Sequence, residues 1–187
     1  DNVIYFDGTV ASDPANEKFQ SMEFGVNYNS PKYAVKASYY NTQWMDRNLT
    51  KSVTTGQGSS GDTDVIFLTG VDQSHTGFEV EGSAQVIDML RLDFAASFGN
   101  WKFADDASGN YQEYTDTGTK QTTYEYALKD LWVGDMPQTG MVLGATLTPM
   151  DGLMAQLVVN KYDKNYADWS PAAREVKGGT ADREQVW

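Results

Sequence analysis

Three acidic side chains stand out as candidates for chemistry. Glu79 and Glu81 are two residues apart, and Asp93 follows a dozen residues later. Paired carboxylates can act as a general acid and a general base when their environments separate their pKa values. A strand with period 2 would put Glu79 and Glu81 on one face. If that face is the wall of a wet lumen, the same residues are solvated groups paired with Arg91, and we read them that way. His75 is the lone histidine of the chain, which also has no cysteine. That removes thiolate metal sites, disulfides and cysteine nucleophiles, and leaves a histidine-based triad or a transition-metal site without partners. Asp62 and Asp64, or Asp105 and Asp106, could touch Ca²⁺ but lack the spacing of a calcium loop. Gly56-Gln57-Gly58-Ser59-Ser60-Gly61 matches a dinucleotide fingerprint by letter. It lacks the preceding apolar strand and the following helix that would give it meaning, so it reads as a loop. Asn48-Leu49-Thr50 is a glycosylation sequon by letter alone. The chain is therefore expected to carry no catalytic residues, no metal and no cofactor.

The elements that position these residues alternate with period 2. Phe78, Val80, Gly82, Ala84 and Val86 interleave with Glu79, Glu81, Ser83 and Gln85; Leu90, Leu92, Phe94, Ala96 and Phe98 interleave with Arg91, Asp93, Ala95 and Ser97. A hairpin closed at Ile87-Asp88-Met89 predicts the pairs Val86–Leu90, Ala84–Leu92, Gly82–Phe94 and Phe78–Phe98 on one face, with Gln85–Arg91 and Ser83–Asp93 on the other. Phe94 would then cover the bare backbone of Gly82. A second hairpin joins Met22–Tyr28 to Tyr33–Tyr39 through Asn29-Ser30-Pro31-Lys32. A third joins Met141–Leu147 to Leu153–Asn160 through Thr148–Gly152, with Leu147–Leu153, Ala145–Ala155 and Leu143–Leu157 expected to pair. Ile4–Thr9 and Ile66–Val71 are further strand candidates. Between the hairpins lie polar stretches, roughly 46–74, 104–136 and from 165 onward, which read as long loops.

Composition narrows the class. Hydrophobic residues make up 40% and aromatics 13% of the 187 residues, too many for a disordered chain. The formal charge of -12 argues against a nucleic-acid partner, which would need clustered Lys and Arg. Mean hydropathy is -0.52. No apolar run reaches the ~18 residues of a membrane helix. A transmembrane β-barrel escapes both tests, because only alternate residues meet lipid. Short turns alternating with long loops are the habit of such barrels, and Tyr28, Tyr33, Trp44, Phe98 and Trp101 fall where interfacial aromatic girdles would lie. The N-terminus shows no signal peptide, and both ends read as cut.

The residues then resemble a known family. Gly77-Phe78-Glu79-Val80-Glu81-Gly82-Ser83 followed by Leu90–Phe98 resembles a hairpin of TonB-dependent outer-membrane receptors. Phe24–Tyr28 with Ala37–Asn41 resembles the hairpin before it, continuing into Trp44-Met45-Asp46-Arg47. Val133-Gly134-Asp135-Met136-Pro137 before a strand, and the turn Met150-Asp151-Gly152-Leu153, resemble the segments after it. The resemblance runs best from about Met22 to Tyr162 and implies an antiparallel transmembrane β-barrel segment. It would span residues 1–187 as part of a barrel of about 22 strands, with short periplasmic turns, long extracellular loops and no plug domain. By this resemblance the parent takes up a nutrient (siderophore-bound iron, cobalamin or an oligosaccharide) across the bacterial outer membrane. Its partners would be lipid, the plug, the TonB complex and the small ligand. Tyr111, Tyr114, Tyr124, Tyr126, Trp132 and Trp169 are then candidate ligand-contacting loop residues, and Glu79, Glu81, Arg91 and Asp93 face the lumen. Two other readings stay open: a complete small barrel acting as an adhesin or structural protein, and a soluble carbohydrate-binding β-sandwich.

Overall fold

The computed structural model describes residues 16–54, 63–115 and 118–169. Ile4–Thr9, the glycine-rich Gly56–Gly61 with Asp62, and the tail after Trp169 lie outside the described residues. The described chain is all-β. It comprises β1 (Lys18–Asn29), β2 (Tyr33–Thr54), β3 (Thr63–Ile87), β4 (Leu90–Phe103), β5 (Ala107–Thr115), β6 (Gly118–Tyr126), β7 (Pro137–Met150) and β8 (Leu153–Asn165). All belong to one antiparallel sheet with the path β1-β2-β3-β4-β7-β8. The sheet does not close, since β1 and β8 are not paired with each other.

The central hairpin has the register that alternation predicts. Ala84 pairs with Leu92, Gly82 with Phe94, Phe78 with Phe98, Gln85 with Arg91 and Ser83 with Asp93. One pair differs: Leu90 meets Ile87 rather than Val86, through a bulge beside the Asp88-Met89 turn. In the third hairpin the turn tightens to Asp151-Gly152, with Gly152 at φ 81°, a conformation glycine adopts without strain. The pairs become Leu147–Ala155, Ala145–Leu157 and Leu143–Val159. That is a two-residue slip, which leaves every side chain on its expected face.

The expected long loops are largely strand. Positions 46–54 and 63–74 extend β2 and β3 outward as paired arms, and Ala107–Thr115 with Gly118–Tyr126 form the hairpin β5–β6. Tyr111, Tyr114, Tyr124 and Tyr126 are therefore strand residues. Beyond the end of β4, β5 replaces it as the neighbour of β3, pairing with Val65–Thr69. The three tight turns lie at one end of the sheet. The arms and the β5–β6 hairpin lie at the other.

Each face of the lower sheet has its own chemistry. One carries Phe24, Val26, Tyr39, Phe78, Phe94, Leu143 and Leu157. These residues are open to solvent: Phe24 is 63%, Leu143 60% and Leu157 68% exposed. Among the described residues no second sheet covers them. The other face carries Glu23, Lys36, Ser38, Glu79, Glu81, Arg91, Asp93 and Ser97. Trp44 and Trp101 belong to this polar face, because their parity matches Lys36 and Arg91. They cannot share a girdle with Phe98, contrary to the expectation from their chain position.

The apolar band runs obliquely across the hydrogen-bonded rungs. On β1 its residues are Met22–Tyr28; on β8 they are Leu153–Val159. The rung that begins at Tyr28 passes through Val35, Gly82, Phe94 and Leu143 and ends at Val159. The lower limit of the band on β1 is thus level with its upper limit on β8. The upper limit descends in steps, from Met22 on β1 to the shared rung of Tyr39, Phe78 and Phe98, then to Met141 and to Val159.

The buried core sits elsewhere, at the arms. Ile66, Leu68, Val71, Phe103, Ala107, Tyr126, Leu128, Leu131 and Trp169 form one cluster. Segment 128–133 is laid along the end of β4 by backbone bonds from Phe103 N to Leu131 O (2.9 Å) and from Val133 N to Trp101 O (3.0 Å).

Candidate functional site

The polar face holds the candidate lumen residues. Glu79, Glu81, Arg91 and Asp93 stand on it together, as their alternation requires. A hollow of about 280 Å³ opens over Lys36, Ser38, Glu79, Glu81, Ser97 and Tyr162. Small residues make the room: Ser38 is buried, and Gly140 and Ala95 line the far wall. A second hollow, about 480 Å³, is shared by Lys36, Glu81, Arg91 and Asp93. Lys36 Nζ lies 3.8 Å from Glu81 Oε1, and Arg91 Nη2 lies 2.7 Å from Asp93 Oδ1. Both pairs are solvent-exposed, so each is worth about 0–1 kcal/mol. They set charge placement more than stability. The arrangement can bind polar or ionic groups through alternating cations and carboxylates.

Above the hollows the same face becomes aromatic. Tyr40 lies over Gly77, the residue it pairs with, at a distance only a bare backbone allows. Trp101 Nε1 donates to Tyr40 Oη at 2.8 Å. His75 stacks on Trp101 with centroids 5.5 Å apart. Gln138, 1% exposed, clamps the Trp101 backbone: its Oε1 accepts from Trp101 N (3.0 Å), and its Nε2 donates to Trp101 O (3.1 Å) and Val133 O (3.2 Å). Arg47 donates to Gln73 Oε1 at 2.6 Å and rests its guanidinium 3.7 Å from the Trp44 ring centroid. Gln73 Oε1 also lies 3.2 Å from His75 Nε2. Burial, with the Arg47 charge adding to it, lowers the His75 pKa below the usual histidine value. Burial likewise lowers that of Arg47.

The aromatic candidates have separate fates. Tyr126 and Trp169 are buried against each other, with centroids 5.9 Å apart. Trp169 is fixed there by Lys51, whose Nζ lies 5.0 Å from its ring and pairs with Asp168. Trp132 is only half-buried. It stacks on Tyr166 with centroids 5.0 Å apart and planes 3° from parallel, and Lys102 Nζ approaches its ring at 4.5 Å. Tyr111, Tyr114 and Tyr124 lie in the β5–β6 hairpin, away from the hollows. The Tyr40–Trp101–Gln138 group was not anticipated. Its signal was the glycine opposite Tyr40 on the neighbouring strand, readable only once β2 and β3 are known to pair.

No family model, no curated protein and no solved structure matches this chain.

Proposed function

We propose that this chain is a wall segment of a transmembrane β-barrel, with its apolar face to lipid and its Glu79–Asp93 face to an aqueous lumen. The observation that carries the proposal is the oblique apolar band. In water, leaving a large apolar side chain exposed forgoes about 1.5–3 kcal/mol. A row of them across six strands needs a partner as extended as the sheet itself. A bilayer supplies one. The obliquity supports it quantitatively. The band shifts by six residues, from Met22 to Tyr28 along β1, over the five strand spacings from β1 to β8. At ~3.3 Å per residue and ~4.8 Å per strand, that is about 20 Å in about 24 Å, a slope near 40°. Strands of membrane barrels tilt by about 35–45°, and a lipid-facing band must run horizontally across them. Aromatic residues mark both limits, with Tyr28 and Tyr33 near the tight turns and Tyr39, Phe78 and Phe98 above. The span from Leu90 to Phe98 fits the about 9–11 residues a tilted strand needs.

Within this class, the order of the motifs from Phe24 to Leu153 favours a TonB-dependent receptor of the bacterial outer membrane. Such a receptor imports a siderophore, cobalamin or oligosaccharide past a plug. In that setting the hollows over Lys36, Glu81 and Asp93 receive polar groups of the plug. The stacked Trp132 and Tyr166 sit beside Lys102 on the outward side, away from those hollows. The work is transport and involves no covalent chemistry.

The wall reading is tested by nitroxide labels at single cysteines along β4, in a chain reconstituted into phospholipid vesicles. The native chain has no cysteine to interfere. Labels at Leu92, Phe94 and Ala96 should be accessible to oxygen and shielded from a polar nickel complex; labels at Asp93, Ala95 and Ser97 should show the reverse. Equal accessibility on both parities refutes the proposal.

A further inference from the structure

Resting on that membrane reading, we infer that the sheet changes which side it keeps dry at Asp46 and Gly70, and that the phospholipid contact ends below this crossing. The arms of β2 and β3 beyond it, with β5–β6, form a water-facing extension with its own core.

The outward side chains change in kind up the sheet. On β2, β3 and β4 the last apolar rung is Tyr39, Phe78 and Phe98; the next outward rung there is Asn41, Thr76 and Asn100, with Met22 of β1 at its edge, and the one after it Gln43, Ser74 and Lys102. Two rungs of amide, hydroxyl and ammonium groups are where hydrocarbon contact stops: Gln43 bonds Asn41 and Ser74, and Thr76 bonds Asn100 O, yet a charged ammonium and amides with donors to spare remain costly in lipid. Next come two left-handed residues on facing strands, Asp46 at φ 56° and Gly70 at φ 68°. The β2–β3 register slips around Arg47 and recovers at Leu49–Leu68. Each left-handed residue shifts the alternation by one, and such a shift exchanges the two faces.

Beyond the crossing the chemistry is reversed. Thr50, Thr69, Ser108, Thr123 and Glu125 are exposed on the outward side, with Phe67 half-buried among them. Ile66, Leu68, Ala107 and Tyr126 turn the other way and are buried. Their cluster includes Phe103, which stands on the Glu79 side of β4. The inward side of the extension is therefore filled by protein, from segment 128–133 and from Asp168-Trp169, which Lys51 secures. Polar groups hold the crossing itself. Asp46 N donates to Asp72 Oδ1 at 2.8 Å, and Lys18 pairs with Asp46 at 2.7 Å. In this sector a ligand above the membrane would meet a packed wall and not open strands.

Depth measurements on single nitroxide labels in phosphatidylcholine vesicles test this. Labels at Ala96 and Met141 should read as acyl-chain sites, while labels at Thr69 and Ser108 should be open to the nickel complex as in water. Acyl-chain depths at Thr69 and Ser108 overturn the inference and leave the wall reading intact. Water-like values at Ala96 and Met141 overturn the wall reading, and the inference with it. A Leu68→Asp variant tests the separate core. It should mobilise the Ser108 label while leaving the Met141 label unchanged; an equal change at both sites shows that no separate core exists.

Discussion

Consider Gly77→Ala. A methyl group built on Gly77 would sit 2.2 Å from Tyr40 Oη and 2.4 Å from its Cζ. Ordinary contact begins near 3.4 Å, so the ring tip must retreat by more than about 1 Å. That retreat also breaks the 2.8 Å bond from Trp101 Nε1. Forced overpacking costs about 1–3 kcal/mol, and a lost neutral hydrogen bond about 0.5–1.5 kcal/mol. The two overlap, so we expect a loss of about 1.5–3 kcal/mol. The obstruction is a side chain, and removing it should remove the cost. In a Tyr40→Ala background, Gly77→Ala should be close to neutral. Gly82→Ala supplies the contrast. Its methyl would meet the Phe94 ring at 2.6 Å and also the backbone oxygen of Ala34 at 2.7 Å. Phe94→Ala clears only the first, so the Gly82→Ala penalty should persist in part. The assay is urea unfolding of vesicle-reconstituted protein followed by tryptophan fluorescence, arranged as two double-mutant cycles. If Gly77→Ala costs as much without Tyr40 as with it, the reasoning from the bare backbone is refuted.

Three further outcomes are expected. Gln138→Leu leaves Trp101 N and Val133 O without their partner, while Trp101 O keeps its bond from Val133 N. At about 1–3 kcal/mol per buried group left unpaired, it should lower the urea midpoint more than either glycine variant; a loss under about 1 kcal/mol contradicts the clamp. Gly70→Ala meets no atom within 4 Å, so only its φ of 68° opposes it. About 1–2 kcal/mol should be lost, and a null effect by the same assay would mean that the crossing is not held in this backbone conformation. His75 lies above the apolar band, and its pKa is lowered in the folded state. The unfolded chain therefore takes up the proton first. Stability should be full above the usual histidine pKa of about 6.5 and should decline as pH falls through the folded value. His75→Phe keeps a ring over Trp101 and should flatten that part of the pH profile; an unchanged profile assigns the titration elsewhere.

The lower sheet was legible from alternation alone because nothing interrupts period 2 between Phe78 and Phe98 except the turn. The same test fails at the arms for a physical reason. Asp46 and Gly70 each shift the phase, so Leu49, Ile66 and Leu68 fall out of step with the residues below them, and the run reads as polar loop. Alternation also left the β7–β8 register uncertain by two residues, since a slip of two preserves both faces. The exact partner of Leu147 was decided by the tight Asp151-Gly152 turn together with the register shift between Leu147 and Met150. Trp44 and Trp101 were misplaced because position along the chain gives height on the sheet but not side. That Glu79, Glu81, Arg91 and Asp93 share one face was legible, whereas Lys36 beside them and the Gln138 clamp were not. The clamp joins β7 to β4 across the whole β5–β6 excursion, and no local pattern announces that contact.

That excursion has a kinetic consequence. Most neighbours in the sheet are also neighbours in the chain: β1 meets β2, β2 meets β3, β3 meets β4, and β7 meets β8. Each such pairing closes a short loop and can follow quickly on the one before. The β4–β7 contact differs, because β5, β6 and segment 128–133 must leave the line and return before Phe98 can meet Thr139. Assembly should therefore proceed as two preformed sections, β1–β4 and β7–β8, whose joining is the slow event. The Tyr40, Trp101 and Gln138 group lies across that seam, so Trp101 fluorescence should report the joining directly.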